Sequence, residues 1–352
     1  MNSELVKRLA EDGTLSDAGF AELLGTDAYD AALFAEADRV RRREYGDAVY
    51  LRGLIEVSSY CKNDCYYCGI RRSNKDASRY RLDEEDILAC CAAGHELGFR
   101  TFVLQGGEDP GFTDGKVVSV VSKIRKRWPD SAVTLSLGEK SRESYQAYFD
   151  AGAERYLLRH EAADRELYES LHPSFMSWEN RIRCLYDLRE IGYAVGAGMM
   201  VGPPRQTVAH LIADLRLLED LRPHMIGIGP FIPHKDTPFA GEKAGTLYDT
   251  LHLLAVIRLM LPDVLLPATT ALGTIHPAGR ELGFLAGANV IMPNLSPGDV
   301  RKKYLLYDGK ICTEDEASAC GRCIELRVRK AGCRVVYIRG DHAGFEVRSQ
   351  EK

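Results

Sequence analysis

The stretch Val49-Tyr50-Leu51-Arg52-Gly53-Leu54-Ile55-Glu56-Val57-Ser58-Ser59-Tyr60-Cys61-Lys62-Asn63-Asp64-Cys65-Tyr66-Tyr67-Cys68 joins an apolar run to three closely spaced cysteines. Val49 to Val57 reads as a strand, and further along the chain short apolar runs alternate with longer amphipathic ones. That is the pattern of parallel strands joined by helical crossovers. The other strand candidates are Thr101 to Leu104, Ala132 to Leu137, Arg155 to Leu158, Ala194 to Val201, Met225 to Ile228, Leu265 to Ala268 and Ala288 to Met292. Between them Glu84 to Leu97, Val117 to Trp128, Ser177 to Ile191, Val208 to Leu221 and Leu247 to Leu261 are the clearest helices. From first strand to last the span is roughly 245 residues, close to the ~250 of a closed eight-fold β/α barrel. A doubly wound open sheet fits less well, because the first βα turn carries no Gly-x-Gly-x-x-Gly loop.

Ahead of the barrel, Leu5 and Leu9, then Phe20, Leu23 and Leu24, then Asp30 to Arg43 mark short helices, with a start at Ser16-Asp17. The expected organisation is therefore an α/β chain in three parts: an N-terminal helical cap at 1–47, a (β/α)8 TIM-type barrel at 48–295, and a C-terminal cysteine-containing extension at 296–352. Composition agrees with a large buried core: 45% of the 352 residues are hydrophobic and 28% charged. With 46 Lys and Arg against 51 Asp and Glu the net charge is −5, which gives no broad attraction to a polyphosphate, so nucleic acid is not an expected partner. Ten cysteines would suit a small secreted disulfide scaffold, but this chain is too long to need one. Met1 to Leu9 lacks an apolar leader core, and no run approaches the ~20 apolar residues of a membrane span. The expectation is a cytoplasmic protein whose clustered cysteines bind metal or do chemistry.

In a β/α barrel the active site lies at the C-terminal ends of the strands. Candidates there are Cys61, Cys65 and Cys68 after strand one, and Gln105 to Asp109 after strand two. Strand three offers Thr134, Ser136 and Glu139, strand four Arg159, His160 and Glu161, and strand seven Thr269 and Thr270. Cys61-x3-Cys65-x2-Cys68 places three thiolates on one loop, enough to hold three irons of a [4Fe-4S] cube and leave the fourth open to a ligand. A structural zinc ion is the competing reading, but the loop offers no fourth Cys or His.

The triplet, with Tyr67 before its last cysteine, resembles the signature of the radical S-adenosylmethionine (SAM) enzymes. That resemblance implies SAM at the open iron and its cleavage to a 5′-deoxyadenosyl radical, with an external one-electron reductant. Gly106-Gly107-Glu108 then resembles the segment that meets the SAM amino group; taken alone it is a plain βα turn. Longer strings narrow the likeness: Tyr67 to Arg72, Leu104 to Pro110, Thr134 to Glu139, Tyr156 to Glu161, Gly227 to His234, Pro267 to Ala271 and Asn289 to Asn294 resemble the HydE-type maturases of [FeFe]-hydrogenase. Biotin synthase and methylornithine synthase belong to the same wider group.

What the maturase resemblance implies can be given residue by residue. Ser136, Glu161 and Arg181, with Tyr67 and Gly106 to Glu108, contact SAM, and Thr134, Arg159, Thr269 and Thr270 hold the substrate. The activity implied is radical attack on the cysteine sulfur of an Fe(CO)2(CN)–cysteine precursor during assembly of the hydrogenase H-cluster, with other hydrogenase maturases as partners. A mutase or synthase acting on a small amino acid, and an iron–sulfur carrier or scaffold, are the alternatives. The bland readings are an Arg159–Glu161 ion pair, a surface charge at Arg181, and threonines that merely satisfy strand ends.

Cys312-x7-Cys320-x2-Cys323 resembles the second iron–sulfur site that some of these proteins carry. Zinc, with Cys333 as a fourth ligand, or unligated thiols are the alternatives. Cys90, Cys91 and Cys184 read as small buried hydrophobes. Met200-Val201-Gly202-Pro203-Pro204-Arg205-Gln206-Thr207 departs from the family's usual Gly-Leu-Pro-Gly-Gln-Thr, and the tail from Arg334 has no clear counterpart. Its Val335 to Ile338 run reads as an added strand or a partner contact.

Overall fold

The structure is a computed structural model that describes residues 3–313 and 317–345, the side chains of 317–322 excepted. Three helices come first: α1 (Glu4–Asp12), α2 (Asp17–Leu24) and α3 (Asp30–Tyr45). Ser16 caps α2 by accepting from the Gly19 N–H, as the Ser16-Asp17 start requires. Then follow β1 (Ala48–Leu51), β2 (Gly53–Ser58), α4 (Glu84–Glu96), β3 (Thr101–Gly106), α5 (Asp114–Arg127), β4 (Ala132–Ser136), α6 (Arg142–Asp150), β5 (Arg155–Leu157), α7 (Arg165–Leu171) and α8 (Trp178–Ile191). The next run is β6 (Ala194–Ala197), β7 (Met200–Val201), α9 (Val208–Leu221), β8 (Met225–Ile226), β9 (Gly229–Pro230) and α10 (Leu247–Met260). The chain closes with α11 (Thr270–Ile275), α12 (Gly279–Leu285), β10 (Val290–Ile291), α13 (Gly298–Arg301), α14 (Ala317–Lys330) and β11 (Arg334–Val336).

Strands pair in the order β2-β3-β4-β5-β6-β8, all parallel. The ring is completed by bridges from Met225 to Leu265, Pro267 to Val290 and Leu54 to Asn294, and by the β1–β10 ladder. Since β1 and β2 form one stave interrupted at Arg52, the barrel has eight staves and is closed. The seventh stave is reduced to single bridges because Pro267 has no N–H to donate. The expected strand Ala194 to Val201 is broken at Gly198, whose φ of 154° and close approach to the Gly227 carbonyl admit no side chain. Beyond the break the stave continues as β7, which pairs with β9, the continuation of β8, while Met199 bridges Glu161 on the other side. Along β2 the pleat sends Ile55 and Val57 into the apolar layer under the helices, while Leu54 and Glu56 line a cavity inside the barrel.

The N-terminal helices lie along the barrel's flank, with α1 and α3 against α10 and α2 against α9. Leu9, Phe20, Leu33 and Val40 share one apolar core with Leu254 and Ile257 of α10. At the opposite end of the chain, β11 adds to β1 as an extra parallel strand. The segment after it then crosses the N-terminal ends of the staves. Thr101 Oγ1 donates to the Arg339 carbonyl at 2.7 Å, and Arg155 pairs with Asp341 at 2.5 Å. Arg339 pairs with Glu154 at 2.7 Å and His342 with Asp263 at 3.5 Å. The tail thus closes the floor of the barrel through side chains from several staves.

These latches depend on pH with a definite sign. The His342 partner holds the Asp263 carboxyl below its usual range against the opposing effect of burial. At Asp341 burial acts to raise the pKa, but the bonds and charges of Arg339 and Arg155 outweigh it and the net shift is downward. Carboxyls lowered on folding stabilise above the unfolded value of about 4, and that contribution is lost as pH falls below it. Hydrogen exchange at pH 3 should therefore show Arg334 to Asp341 exchanging before the barrel strands do. Equal protection of the tail at pH 3 and pH 7 would contradict this.

Candidate active site

The loop after β2 carries the three cysteines and has little ladder to hold it, so its carbonyls need other donors. Arg79 supplies them. Its guanidinium donates to the carbonyls of Ser59, Ile70, Arg71 and Asn74, two of the bonds at 2.8 and 2.6 Å, and so ties both ends of the loop together. Inside the loop, Asp64 accepts from Arg71 at 2.8 Å and from the Ser73 N–H at 3.0 Å. Burial would raise the Asp64 carboxyl, yet these bonds draw it down to about 2. Asp109 fixes the base of the loop by accepting both Arg81 nitrogens, at 2.5 and 2.8 Å, and the Ser58 hydroxyl at 2.6 Å. Arg81 also lies over the Tyr60 ring at 3.8 Å.

Cys61, Cys65 and Cys68 are all partly buried on this loop. Burial, and then their mutual proximity, pushes Cys65 well above the ordinary thiol range and Cys68 up to about 12. Three thiols that disfavour charge in one place call for a cation, and iron would be what turns them into thiolates. Among the described residues no three His, Cys, Asp or Glu side chains converge on a single point as one metal ion requires.

Around the loop, the ends of the other staves bring up the expected residues. Gly107 packs so tightly that a Cβ would lie 2.2 Å from the Tyr60 carbonyl oxygen, so a glycine is demanded there by the cysteine loop itself. Glu108 is buried, accepts from the Glu139 N–H at 3.0 Å and meets Lys62 at 3.2 Å. Gly106 and Ser136 end their strands half-buried at the same rim. Arg181 is buried, not a surface charge. Its Nε donates to Glu139 at 2.6 Å and its Nη1 to the Arg159 carbonyl at 2.7 Å. Glu161 has a left-handed φ of 66°, uncommon for a side-chain-bearing residue and the kind of strain found at functional sites. Arg159 and Glu161 approach to 3.0 Å, yet neither Arg159 Nε nor Nη2 nor Glu161 Oε2 makes an aligned hydrogen bond.

Buried polar atoms without partners are costly. Several fall on expected residues, Thr134 Oγ1, Arg159 Nε and Thr269 Oγ1, with the Arg159–Glu161 ion pair beside them, while others lie on Arg52, Tyr168, Asp214, His252, Arg280 and Asn289. Unsatisfied donors and acceptors from three stave ends mark a cradle for a polar ligand. Thr270 differs, since its hydroxyl already accepts from Arg280 at 3.2 Å. Tyr67 is tied to His172, a residue that no motif marks. The His172 Nδ1–H donates to the Tyr168 carbonyl at 2.8 Å, which leaves Nε2 to accept the Tyr67 hydroxyl at 3.1 Å. Burial and then Arg181 lower the ring to about 3, so it is neutral near pH 7.

A strap from the C-terminal extension crosses the mouth of the barrel. The Gly69 N–H, next to Cys68, donates to the Leu306 carbonyl at 2.9 Å, and the Asp308 N–H donates to Pro233 at 3.1 Å. Lys310 reaches inward to Glu56 at 2.6 Å, and Asn294 donates to the same carboxylate at 2.9 Å. Glu56, Thr270, Arg280, Lys310 and Cys312 share a cavity of about 20 Å³. Cys323 lines a separate groove on α14 with Glu281 and Arg327. The Cys320 side chain lies outside the described residues. Cys333 is buried in the apolar core, as are Cys90, Cys91 and Cys184.

Replacing Arg79 should loosen the loop without touching a thiol. Arg79→Met is expected to weaken iron retention by about 10- to 100-fold, as losses of outer supporting groups do at metal sites. Iron content after desalting and chelator challenge measures it; retention equal to the unaltered protein would deny Arg79 its role.

Comparison with known proteins agrees with this geometry. The family model described as the radical SAM superfamily matches residues 55–218, from β2 through α9. The [FeFe] hydrogenase maturase subunit HydE of Thermotoga maritima is 47% identical over 328 residues, 92% of this chain and 91% of that one. The 3-methylornithine synthase of Methanosarcina acetivorans is 29% identical, with 83% of each chain covered. The crystal structure of methylornithine synthase superposes with a TM-score of 0.82 at 26% identity, covering 95% of this chain and 97% of that one. A closed parallel barrel, a Cys-x3-Cys-x2-Cys loop at its mouth and 47% identity to a HydE protein over 92% of the chain make this chain a member of the radical SAM superfamily and, within it, of the HydE maturase family.

Proposed function

We propose that the protein acts in assembly of the [FeFe]-hydrogenase H-cluster, by radical attack on the cysteine sulfur of an Fe(CO)2(CN)–cysteine precursor. The observation that carries this reading is the set of buried polar atoms without a hydrogen-bond partner on Thr134, Arg159 and Thr269 at the barrel mouth, beside the Arg159–Glu161 ion pair. It rests on near-full-length similarity to a HydE protein. Cys61, Cys65 and Cys68 would hold a [4Fe-4S] cluster with SAM at its open iron. When bound, that pair supplies the electron and the 5′-deoxyadenosyl radical on which the chemistry depends.

The chain's own residues bind, orient and exclude. Arg181, set by Glu139, offers a fixed positive charge for the SAM carboxylate. Glu161 supplies an acceptor for ribose hydroxyls, and Ser136, Tyr67 and Gly106 to Glu108 complete the SAM side. Arg159, Thr134 and Thr269 present donors to cyanide, carbonyl and carboxylate groups, and Thr270 with Arg280 stands at the edge. The strap from Tyr304 to Lys310 screens this space from water. Cys312, Cys320 and Cys323 are read as ligands of a second iron–sulfur cluster. An external one-electron reductant and other hydrogenase maturases are the partners, in the cytoplasm. Among the described residues no helix is long and apolar enough to cross a membrane.

A mutase on a small amino acid is the second reading, favoured by the 0.82 TM-score to methylornithine synthase. A carrier that only stores iron and sulfur would have no use for unsatisfied donors at three stave ends. After anaerobic reconstitution, dithionite with SAM should yield 5′-deoxyadenosine, and Cys65→Ala should yield none. Absence of cleavage by the intact protein would end the enzymatic reading, and turnover of lysine would favour the mutase. Thr134→Val and Thr269→Val should leave the cluster spectrum intact yet weaken apparent affinity for the organometallic precursor about tenfold, as expected for the loss of a buried hydrogen bond. Unchanged affinity in both would move the substrate elsewhere.

A further inference from the structure

Reduction is the one step for which the barrel mouth offers no group of its own, so the route by which an electron reaches the cysteine loop is a structural question. Met176 is buried with its Sδ 3.8 Å from Cys65 Sγ. Its neighbour Phe175 is 56% exposed, an unusual position for a large apolar side chain. The Arg72 guanidinium stands 5.2 Å from the Phe175 ring. Thus a solvent-facing aromatic, a thioether and a cluster-loop thiol form a short continuous path from the surface inward.

Charge around this path is opposite to that of the molecule as a whole. Residues 61–81 hold six Lys or Arg against two Asp, in a chain whose net charge is −5. Lys62 is paired with Glu108, Arg71 with Asp64 and Arg81 with Asp109, and Arg79 is spent on backbone carbonyls. Arg72 remains exposed beside Phe175, and Lys75 is exposed three residues further along the loop, followed by the exposed carboxylate of Asp76. On α7 and α8, Glu169 and Glu179 share the one cation of Arg165, and Glu166 is exposed.

We infer that Phe175, Arg72 and Lys75 form the docking surface for an acidic one-electron carrier protein, which delivers its electron through Met176 toward Cys65. The inference rests on the cluster reading of the three thiols. In the step, one electron leaves the carrier and enters the cluster; the carrier is oxidised by one electron, and no proton or atom is transferred. A flat apolar ring within a positive rim suits brief contact with an acidic surface, where steering raises the rate of encounter and rapid release follows. A small inorganic reductant needs no such surface.

The test uses the reconstituted holoprotein and two reductants, a fully reduced acidic flavodoxin as the carrier probe and dithionite. Cluster reduction is followed by bleaching of its visible absorption and by electron paramagnetic resonance. With flavodoxin the rate should fall steeply as salt is raised. The Arg72→Glu/Lys75→Glu double variant should lower it at least tenfold, and Phe175→Ala should lower it severalfold, while dithionite reduces all three proteins alike. A flavodoxin rate within twofold of the unaltered protein in the double variant, or no salt dependence, overturns the docking surface. An equal loss with dithionite would assign the effect to the cluster and also overturns it. Failure of dithionite to reduce the unaltered protein would instead bring down the cluster reading itself.

Discussion

The loop that carries the three thiols is neither strand nor helix, so no regular ladder pairs its backbone groups. Its backbone groups must still be satisfied. Here the Arg79 fork takes four carbonyls, Asp64 draws the two arms together, and Asp109 with Arg81 fastens the base to β2. Glycine is required where this loop meets other backbone, at Gly107 against Tyr60 and at Gly69 against Leu305. The rest of the mouth depends on that rigidity: a cluster is only as well placed as the loop that holds it, and a fixed scaffold loses less ordering entropy when ligands bind.

Closure of the barrel supplies the second ingredient. It brings the ends of β4, the stave of Arg159 and Glu161, and the stave of Thr269 to one rim, although they are far apart in the chain. The cost appears as unsatisfied buried atoms and a left-handed backbone at Glu161. Both ends of the barrel are then sealed by the chain's last part. The strap covers the mouth, and the segment after β11 latches the floor through Arg339, Asp341 and His342.

Legibility from sequence followed the range of each interaction. Eight staves, the order of helices and the cysteine loop were visible because periodicity and spacing are local. Val208 to Leu221 is α9 residue for residue. The seventh stave was overestimated, since Pro267 removes a donor and leaves only bridges, and Ala194 to Val201 was read as continuous across a Gly198 that breaks it. Arg79, His172, Met176 and Lys310 carry no mark in the sequence as working parts of the mouth. His172, Met176 and Lys310 act through residues distant in the chain and Arg79 through the backbone carbonyls of its own loop, and an isolated arginine or histidine carries no local pattern to announce it.

The sequence by itself determined a β/α barrel with a three-thiol loop after its first stave. Hydrophobic period and cysteine spacing are properties of neighbouring residues, and they survive without coordinates. Only the tertiary structure decided that Arg181 is a buried cation set by Glu139, that Thr134 and Thr269 have unsatisfied hydroxyls while Thr270 does not, and that the tail closes the floor. Those outcomes turn on which polar atoms find partners. Partnership is settled when distant segments are packed together, at a free-energy scale of about 1–3 kcal/mol per buried group that no local pattern encodes.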